Sequence, residues 1–377
     1  MFTNSFLLRS LTGILALTPL INASKIIVPP EPADGPSVVQ WISKADGLDN
    51  PKVLPINRTT FDWWYFDLVA QDAGLDEKLQ SVVVVFWLAT DGGFPPLAPY
   101  RKLGYTSVDL VQVTASFANG TVFRTFLNGS QAVFSTNGNA ATGAYAGPDG
   151  KASFRGEADL SAYTVNINAP EVGVVGTIHL DSVAPPHYPG GPAKKGQNMQ
   201  IAPHIGWANG IPDANGKASL LINGQKWAFK GLGYHDKNWG DAPLPTFLNS
   251  WYWGHCRLGD YSIVWFDYLD VDGKNSVSSY VSKRNKILVA STSGIKVRPF
   301  GQNSTYPPLM HTGAPTGFHI DVQIPKGTLS FNVTGDNIVG GASGALLTRW
   351  TGFVNGGLNG ANDLTGTAMY EQFALAT

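Results

Sequence analysis

Between residues 60 and 89 the chain carries two segments that leave little freedom about its fold. Residues 60–70 read TFDWWYFDLVA and residues 80–89 read QSVVVVFWLA. In an extended strand the side chains alternate between faces, so Asp62, Trp64 and Phe66 share one face and Trp63, Tyr65 and Asp67 the other. Large rings on both faces require cover on both sides. The second segment is an unbroken apolar run dense in valine, which reads as a buried central strand. Further strand-like segments recur at short spacing, punctuated by glycine, over 104–117, 121–127, 131–135, 151–160, 163–169 and 172–180. The series resumes over 217–223, 225–234, 249–257, 261–271, 276–282, 286–290, 317–324, 328–334, 345–354 and 366–373. Helical periodicity is scarce, so the chain is expected to be all-β, a sandwich or barrel.

Residues 183–199, VAPPHYPGGPAKKGQNM, interrupt the series with concentrated proline and glycine, as a linker or a lid does. The chain is long enough for two domains, and the boundary is placed there, giving domains over 24–200 and 201–377. In the second, SWYWGHC puts Trp251, Trp253 and His255 on one face. The following strand puts Tyr261, Ile263, Trp265 and Asp267 on one face. A short LGD turn joins them as a hairpin, so the two aromatic rows are expected side by side. Eleven tryptophans, in a chain with only 14% charged residues, suit a cavity with apolar walls and a few polar groups.

The densest chemistry lies in residues 231–241, GLGYHDKNWGD. An imidazole (His235), a carboxylate (Asp236), an ammonium (Lys237), an amide (Asn238) and an indole (Trp239) follow one another. Strand-like residues precede them and Pro243 and Pro245 follow, so the group is expected where a strand gives way to a loop. Two readings fit. A structural corner uses Asp236 and Asn238 to bond turn amides and Trp239 to plug a core. An acid/base site holds donors and acceptors against an apolar wall. Period two sends His235 and Asp236 to opposite faces, so they need not form a dyad.

The first 23 residues have Arg9 ahead of a short apolar core and end Ile21-Asn22-Ala23, the form of a secretory signal peptide cleaved after Ala23. Sequons at Asn57, Asn119, Asn128, Asn303 and Asn332 fit a glycoprotein passing through the secretory pathway to the outside or to a secretory or vacuolar compartment. No later segment is long and apolar enough to span a membrane. Cys256 is the one cysteine, so no intrachain disulfide is available and it reads as a small buried apolar residue. A net charge of −1 gives no electrostatic case for nucleic acid. No zinc, P-loop or dinucleotide motif is present, so no metal and no cofactor is expected. No obligate protein partner is evident.

Two pieces belong together: DWWYFD at 62–67, and GYHDKNWG followed by WYWG over 233–254. The pairing resembles the lipocalin-like superfamily that includes carotenoid 1,2-hydratases (hydroxyneurosporene synthases) and fungal lipocalin-like Diels–Alderases. That family shows an EWWYFD-like strand and a YHDHNWG-like turn; here Asp62 stands for the Glu and Lys237 for the second His. MYEQF at 369–373 is also similar to fungal members. The resemblance implies two β domains, the first sandwich-like and the second a lipocalin-like barrel, with the ligand in or between them.

With a leader and sequons, the chain looks most like the hetero-Diels–Alderases of tropolone sesquiterpenoid pathways. The resemblance then implies a cofactor-free addition of a tropolone-derived quinone methide to a humulene-type alkene. Small apolar substrates of that kind are the expected partners. His235 and Asp236 are the candidate acid/base residues. Asp62, Trp64, Tyr65, Lys237, Asn238, Trp239, Trp251, Trp253, His255 and Trp265 are the candidate substrate contacts. Two alternatives use the same residues: a hydratase or isomerase of a terpenoid or polyene, and a secreted lipophile carrier. Protein secreted from a eukaryotic host should begin at Ser24 on N-terminal sequencing; a chain that begins at Met1 removes the leader.

Overall fold

The computed structural model describes residues 24–44 and 47–376; the leader expected over 1–23 lies outside the described residues. Apart from one short helix at Ala98–Arg101 and three 3-10 turns, the regular structure is β-strand, as the period-two pattern requires. Two large antiparallel sheets carry it. The first begins at Ser24–Val28, passes through the hairpins of 131–182, and continues Ile205–Ile222, Gln225–Gly240, Phe61–Ala70, Ser81–Ala89, Asp109–Ser116, Val122–Asn128. The second has nine strands, with Leu248–Leu258 between Tyr261–Asp270 and Leu364–Ala374, followed by Leu347–Leu358 and Gly327–Gly341.

Both sheets curl. Phe86 meets Tyr145 at 5.2 Å and Phe154 at 5.2 Å although many strands separate them in the ladder. In the second sheet Tyr252 reaches Phe318 at 4.7 Å in the same way. Each curled sheet fills its own concave side with apolar residues, and a third apolar layer lies between the two sheets. Strand Phe61–Ala70 is therefore buried along its whole length. Trp64, Phe66 and Leu68 enter the inner core of the first sheet, while Phe61, Trp63 and Tyr65 enter the layer between sheets. Strand Ser81–Ala89 divides alike, which explains its continuous apolar run.

Four expectations change. The polar stretch 235–239 is not a strand end, because the strand runs from Gln225 to Gly240 and is paired on both sides through those residues. A buried strand tolerates them because their polar side chains find partners. Secondly, the division between sheets falls between Gly240 and Leu248 and not near residue 200, since Ile205–Ile222 and Gln225–Gly240 hydrogen-bond into the first sheet. The half-strand before Lys217 escapes a sequence reading because its glycines, Pro212, Asn209 and Asp213 look like a loop. The ladder absorbs Pro212 through register shifts between Asn209 and Ala214.

Thirdly, residues 183–199 are an ordered strap. His187–Tyr188 pairs with Gly191–Pro192 and with Asn209, and Met199 N donates to Trp41 O at 2.9 Å. Tyr280 and Ser278 of the second sheet donate to the carbonyls of Pro185 and Pro189, at 2.7 and 2.8 Å. Fourthly, the rows Trp251–Trp253–His255 and Tyr261–Ile263–Trp265 face opposite ways. Trp253 sits across from Phe266, and Gly254 across from Trp265. The Trp265 ring enters the second sheet's inner core, against a backbone where a Cβ at Gly254 would stand 2.3 Å from it.

A buried ion pair in the first inner core joins Lys237 Nζ to Asp62 Oδ1 at 2.8 Å, with both side chains fully buried. Burial opposes both charges, lowering the pKa of Lys237 and raising that of Asp62, while the pairing opposes burial. Lys237→Met leaves Asp62 without its cation and should cost about 3–5 kcal/mol in urea unfolding. The double variant Lys237→Met with Asp62→Asn should recover most of that loss. A single variant as stable as wild type would show that the pair contributes nothing.

Candidate functional site

Between the two sheets lies a cavity of about 530 Å³, within the range that holds a small organic ligand. Trp63, Tyr65 and Trp87 of the first sheet form one wall; Trp251, Trp253 and Phe373 of the second form the opposite one. Residues 94–100, rich in proline, close one side. There the Phe94 ring lies 4.9 Å from both Trp63 and Trp87. The rings brace one another, Trp251 on Phe373 at 4.4 Å and Tyr65 edge-on to Trp253 at 5.4 Å. Such walls hold their shape without a ligand.

Alternation along Gln225–Gly240 sends Asp236 and Asn238 into the cavity wall and His235, Lys237 and Trp239 the other way. Asp236 Oδ2 accepts from Trp207 Nε1 at 2.7 Å and from the Tyr234 hydroxyl at 2.7 Å. Among the described residues no donor meets Oδ1 and no cation pairs with the carboxylate. Burial raises the pKa of Asp236 to about 7 even though those two hydrogen bonds favour the ionised form. The cavity thus contains a carboxyl group that holds a proton near neutral pH. Its free oxygen belongs to a residue of the cavity wall, which is what a general acid needs.

Two further polar groups support the walls. Glu371 accepts from Trp251 Nε1 at 2.8 Å and from Arg349 Nε and Nη2 at 2.9 and 2.6 Å. The Tyr65 hydroxyl donates to Asp67 Oδ2 at 2.9 Å, and His255 Nε2 meets the same oxygen at 2.8 Å. Burial lifts the Tyr65 phenol well above its ordinary pKa, so it stays neutral.

Of the candidates read from sequence, Tyr65, Asp236, Asn238, Trp251 and Trp253 come together at the cavity. His255 stands behind the wall, its ring stacked on Tyr234 at 4.4 Å. Asp62, Trp64, His235, Lys237 and Trp239 lie inside the first sheet. There His235 Nδ1 meets Tyr65 O at 2.9 Å and its Nε2 meets Asp49 Oδ2 at 3.0 Å, while Tyr163 also donates to Asp49. Burial works against ionisation of Asp49, but these partners hold its pKa below the usual carboxylate value. His235 is thus turned from the cavity. Trp265 lies in the other sheet's interior.

Sequence reasoning missed Trp63, Trp87, Arg349 and Glu371. Alternation in DWWYFD placed Trp63 beside Tyr65, and Glu371 lay within the quoted MYEQF, so those two carried a signal. Of the five sequon asparagines, Asn119 and Asn303 are exposed in turns and the other three are half-buried. No helix among the described residues is long and apolar enough to cross a membrane.

Residues 29–298 match a family model described as Diels-Alderase-like. The chain is 35% identical, over 93% of its length and 93% of the relative's, to a quinolone epoxide rearrangement protein of Emericella nidulans. It is 33% identical, over 94% and 96% of the two lengths, to a protein of the same description from Penicillium thymicola. Among solved structures it is similar to CghA in complex with Sch210972. That TM-score is 0.74, with 18% identity and 94% and 99% of the chains covered, a likeness of fold.

Asp236→Asn keeps an acceptor for Trp207 and Tyr234 and removes the ionisation. The folded pKa, about 7, lies above the unfolded value of about 3.9. Wild-type stability is therefore full at low pH and falls as pH rises through that window. The melting temperature of the variant relative to wild type should rise from about pH 4 to about pH 7, then level off. A flat difference would mean that the carboxyl titrates as an exposed one does.

Proposed function

Because the chain belongs to the Diels-Alderase-like family, an enzyme family by its relatives, we propose that it is an acid-assisted rearrangement enzyme. Its substrate is an apolar, aromatic-bearing epoxide of the quinolone kind. The observation that carries this reading is Asp236: a buried, proton-holding carboxyl on the wall of a cavity lined by indole and phenol rings. The similarity to two quinolone epoxide rearrangement proteins, 35% and 33% identical over nearly the full length, supports it.

Asp236 gives its proton to the epoxide oxygen as the carbon–oxygen bond breaks, and the bonding pair leaves on oxygen as a hydroxyl. The carbon so freed carries positive charge, which the faces of Trp63, Trp87 and Trp253 stabilise by cation–π attraction. A neighbouring group migrates, or an internal nucleophile closes a ring. A proton then returns to the carboxylate, leaving an isomer and the enzyme in its starting state. Trp207 and Tyr234 fix the carboxyl and stabilise its anion while the proton is away.

A second reading is the hetero-Diels–Alder addition of a tropolone quinone methide to a humulene-type alkene. The opposed aromatic walls favour it, since two flat apolar reactants can be held face to face between them and lose their translational freedom before reacting. In that case Asp236 assists departure of water from the tropolone precursor.

Quinolone epoxide and the tropolone–humulene pair, each incubated with enzyme and with buffer, separate the two readings by product. A carrier turns over neither. On the substrate that reacts, Asp236→Asn should lower kcat about 10²–10⁴-fold with little change in ligand affinity. Wild-type kcat should be highest below about pH 7 and fall above it, because the acid form is lost there. A fully active Asp236→Asn withdraws the acid step.

A further inference from the structure

The proposed acid step leaves a second polar feature of the cavity unused. Arg349 and Glu371 sit directly opposite each other on Leu347–Leu358 and Leu364–Ala374, and both line the cavity. Arg349 spends Nε and Nη2 on Glu371 Oε2, at 2.9 and 2.6 Å. Trp251 holds the other Glu371 oxygen from the far side, and the guanidinium lies 4.9 Å from the centre of the Tyr65 ring. Its plane is fixed by these contacts, and Nη1 is left with no acceptor among the described residues. Gly340, also a lining residue, stands beside it. A Cβ there would be 3.8 Å from Nη1 and 3.2 Å from the Arg349 Cβ, so the missing side chain keeps that flank uncovered. A largely buried guanidinium, 15% exposed, with an unused N–H beside a mainly apolar cavity calls for an oxygen from a ligand.

We propose that Arg349 anchors the substrate through a neutral ring carbonyl, with the reactive group on an arm that reaches Asp236. Tyr65 connects the two ends of the site. Its ring supports Arg349, and it faces Asp236 directly across the adjacent strands. A flat ring bound by its carbonyl at Arg349 and lying between the aromatic walls leaves the arm free to reach Asp236. Glu371 neutralises the guanidinium, so the anchor favours a carbonyl dipole over a full anion. The proposal rests on the acid-assisted rearrangement for the group on the arm; the anchor itself can be tested without turnover.

The test uses quinolin-2(1H)-one and quinoline, the same ring system with and without the carbonyl, titrated against the full chain with tryptophan fluorescence as readout. Wild type should bind the lactam about tenfold more tightly, the worth of a hydrogen bond to a charged group. Arg349→Lys keeps an ion pair with Glu371 but loses the fork, and should bring that preference close to one while quinoline affinity holds. Arg155→Ala removes an exposed arginine that does not line the cavity and should leave the preference intact. If Arg349→Lys unfolds the protein, Gly340→Ala narrows the approach to Nη1 with the pair in place and should reduce the preference in the same direction. Equal affinity of wild type for both probes, binding of neither, or a preference that survives the Arg349 and Gly340 variants overturns the anchor. Epoxide turnover that persists in Arg349→Lys with KM unchanged overturns it too and leaves the acid step standing. A fully active Asp236→Asn, with the lactam preference intact, does the reverse.

Discussion

The structure depends on one pair of strands, Phe61–Ala70 and Gln225–Gly240, which are covered on both faces for most of their shared length. Little of either strand is exposed, so most of the polar side chains they carry take partners from the protein itself. Lys237 sits opposite Trp64 in the ladder, with its Nζ 4.1 Å from that ring, and reaches the diagonal Asp62 for its ion pair. The same face ties down the segment before the first strand. Lys237 Nζ donates to Asn50 O at 3.0 Å, Trp64 Nε1 to Asp49 O at 2.9 Å, and Lys52 N to Asp62 Oδ2 at 2.6 Å. The polar residues of the central stretch thus close the first curled sheet from within. On the other face, Tyr65 and Asp236 are left to line the cavity.

Much of this was legible in the sequence, and what was not has physical causes. Alternation and glycine spacing predict the all-β class and the double burial of both leading strands. The end of the second strand is misread because five polar or aromatic residues before two prolines look like a turn, and only the partners across the sheet make them tolerable inside one. The hairpin error lies elsewhere, in register. Gly259 and Asp260 form a two-residue turn, which pairs Leu258 with Tyr261. Counting back from that pair puts Trp253 against Phe266 and sends Trp265 to the far side. The chain therefore held the answer, but only for a reader who counted from the turn. The pairing of Arg349 with Glu371 had no such signal. They lie on strands joined by a turn around 359–363 of irregular length, so their juxtaposition follows from a ladder the sequence does not reveal.

Burial has two consequences at Asp236 that act together. It raises the pKa of the carboxyl, so that the proton is present near neutrality, and it removes the water that would otherwise compete for a cation formed nearby. The aromatic walls supply what the missing water would have supplied, as fixed faces of negative potential. Arg349 and Glu371 cancel each other's charge at close range, so the pair adds an oriented donor with little net field. In the proposed rearrangement, proton transfer therefore creates the one uncompensated anion of the cavity at the moment a cation appears beside it. Their attraction in a poorly screened space is stronger than in water. It holds the cation against the carboxylate until a proton can return. A site built this way favours isomerisation over capture by solvent, because the base that ends the reaction is the acid that began it.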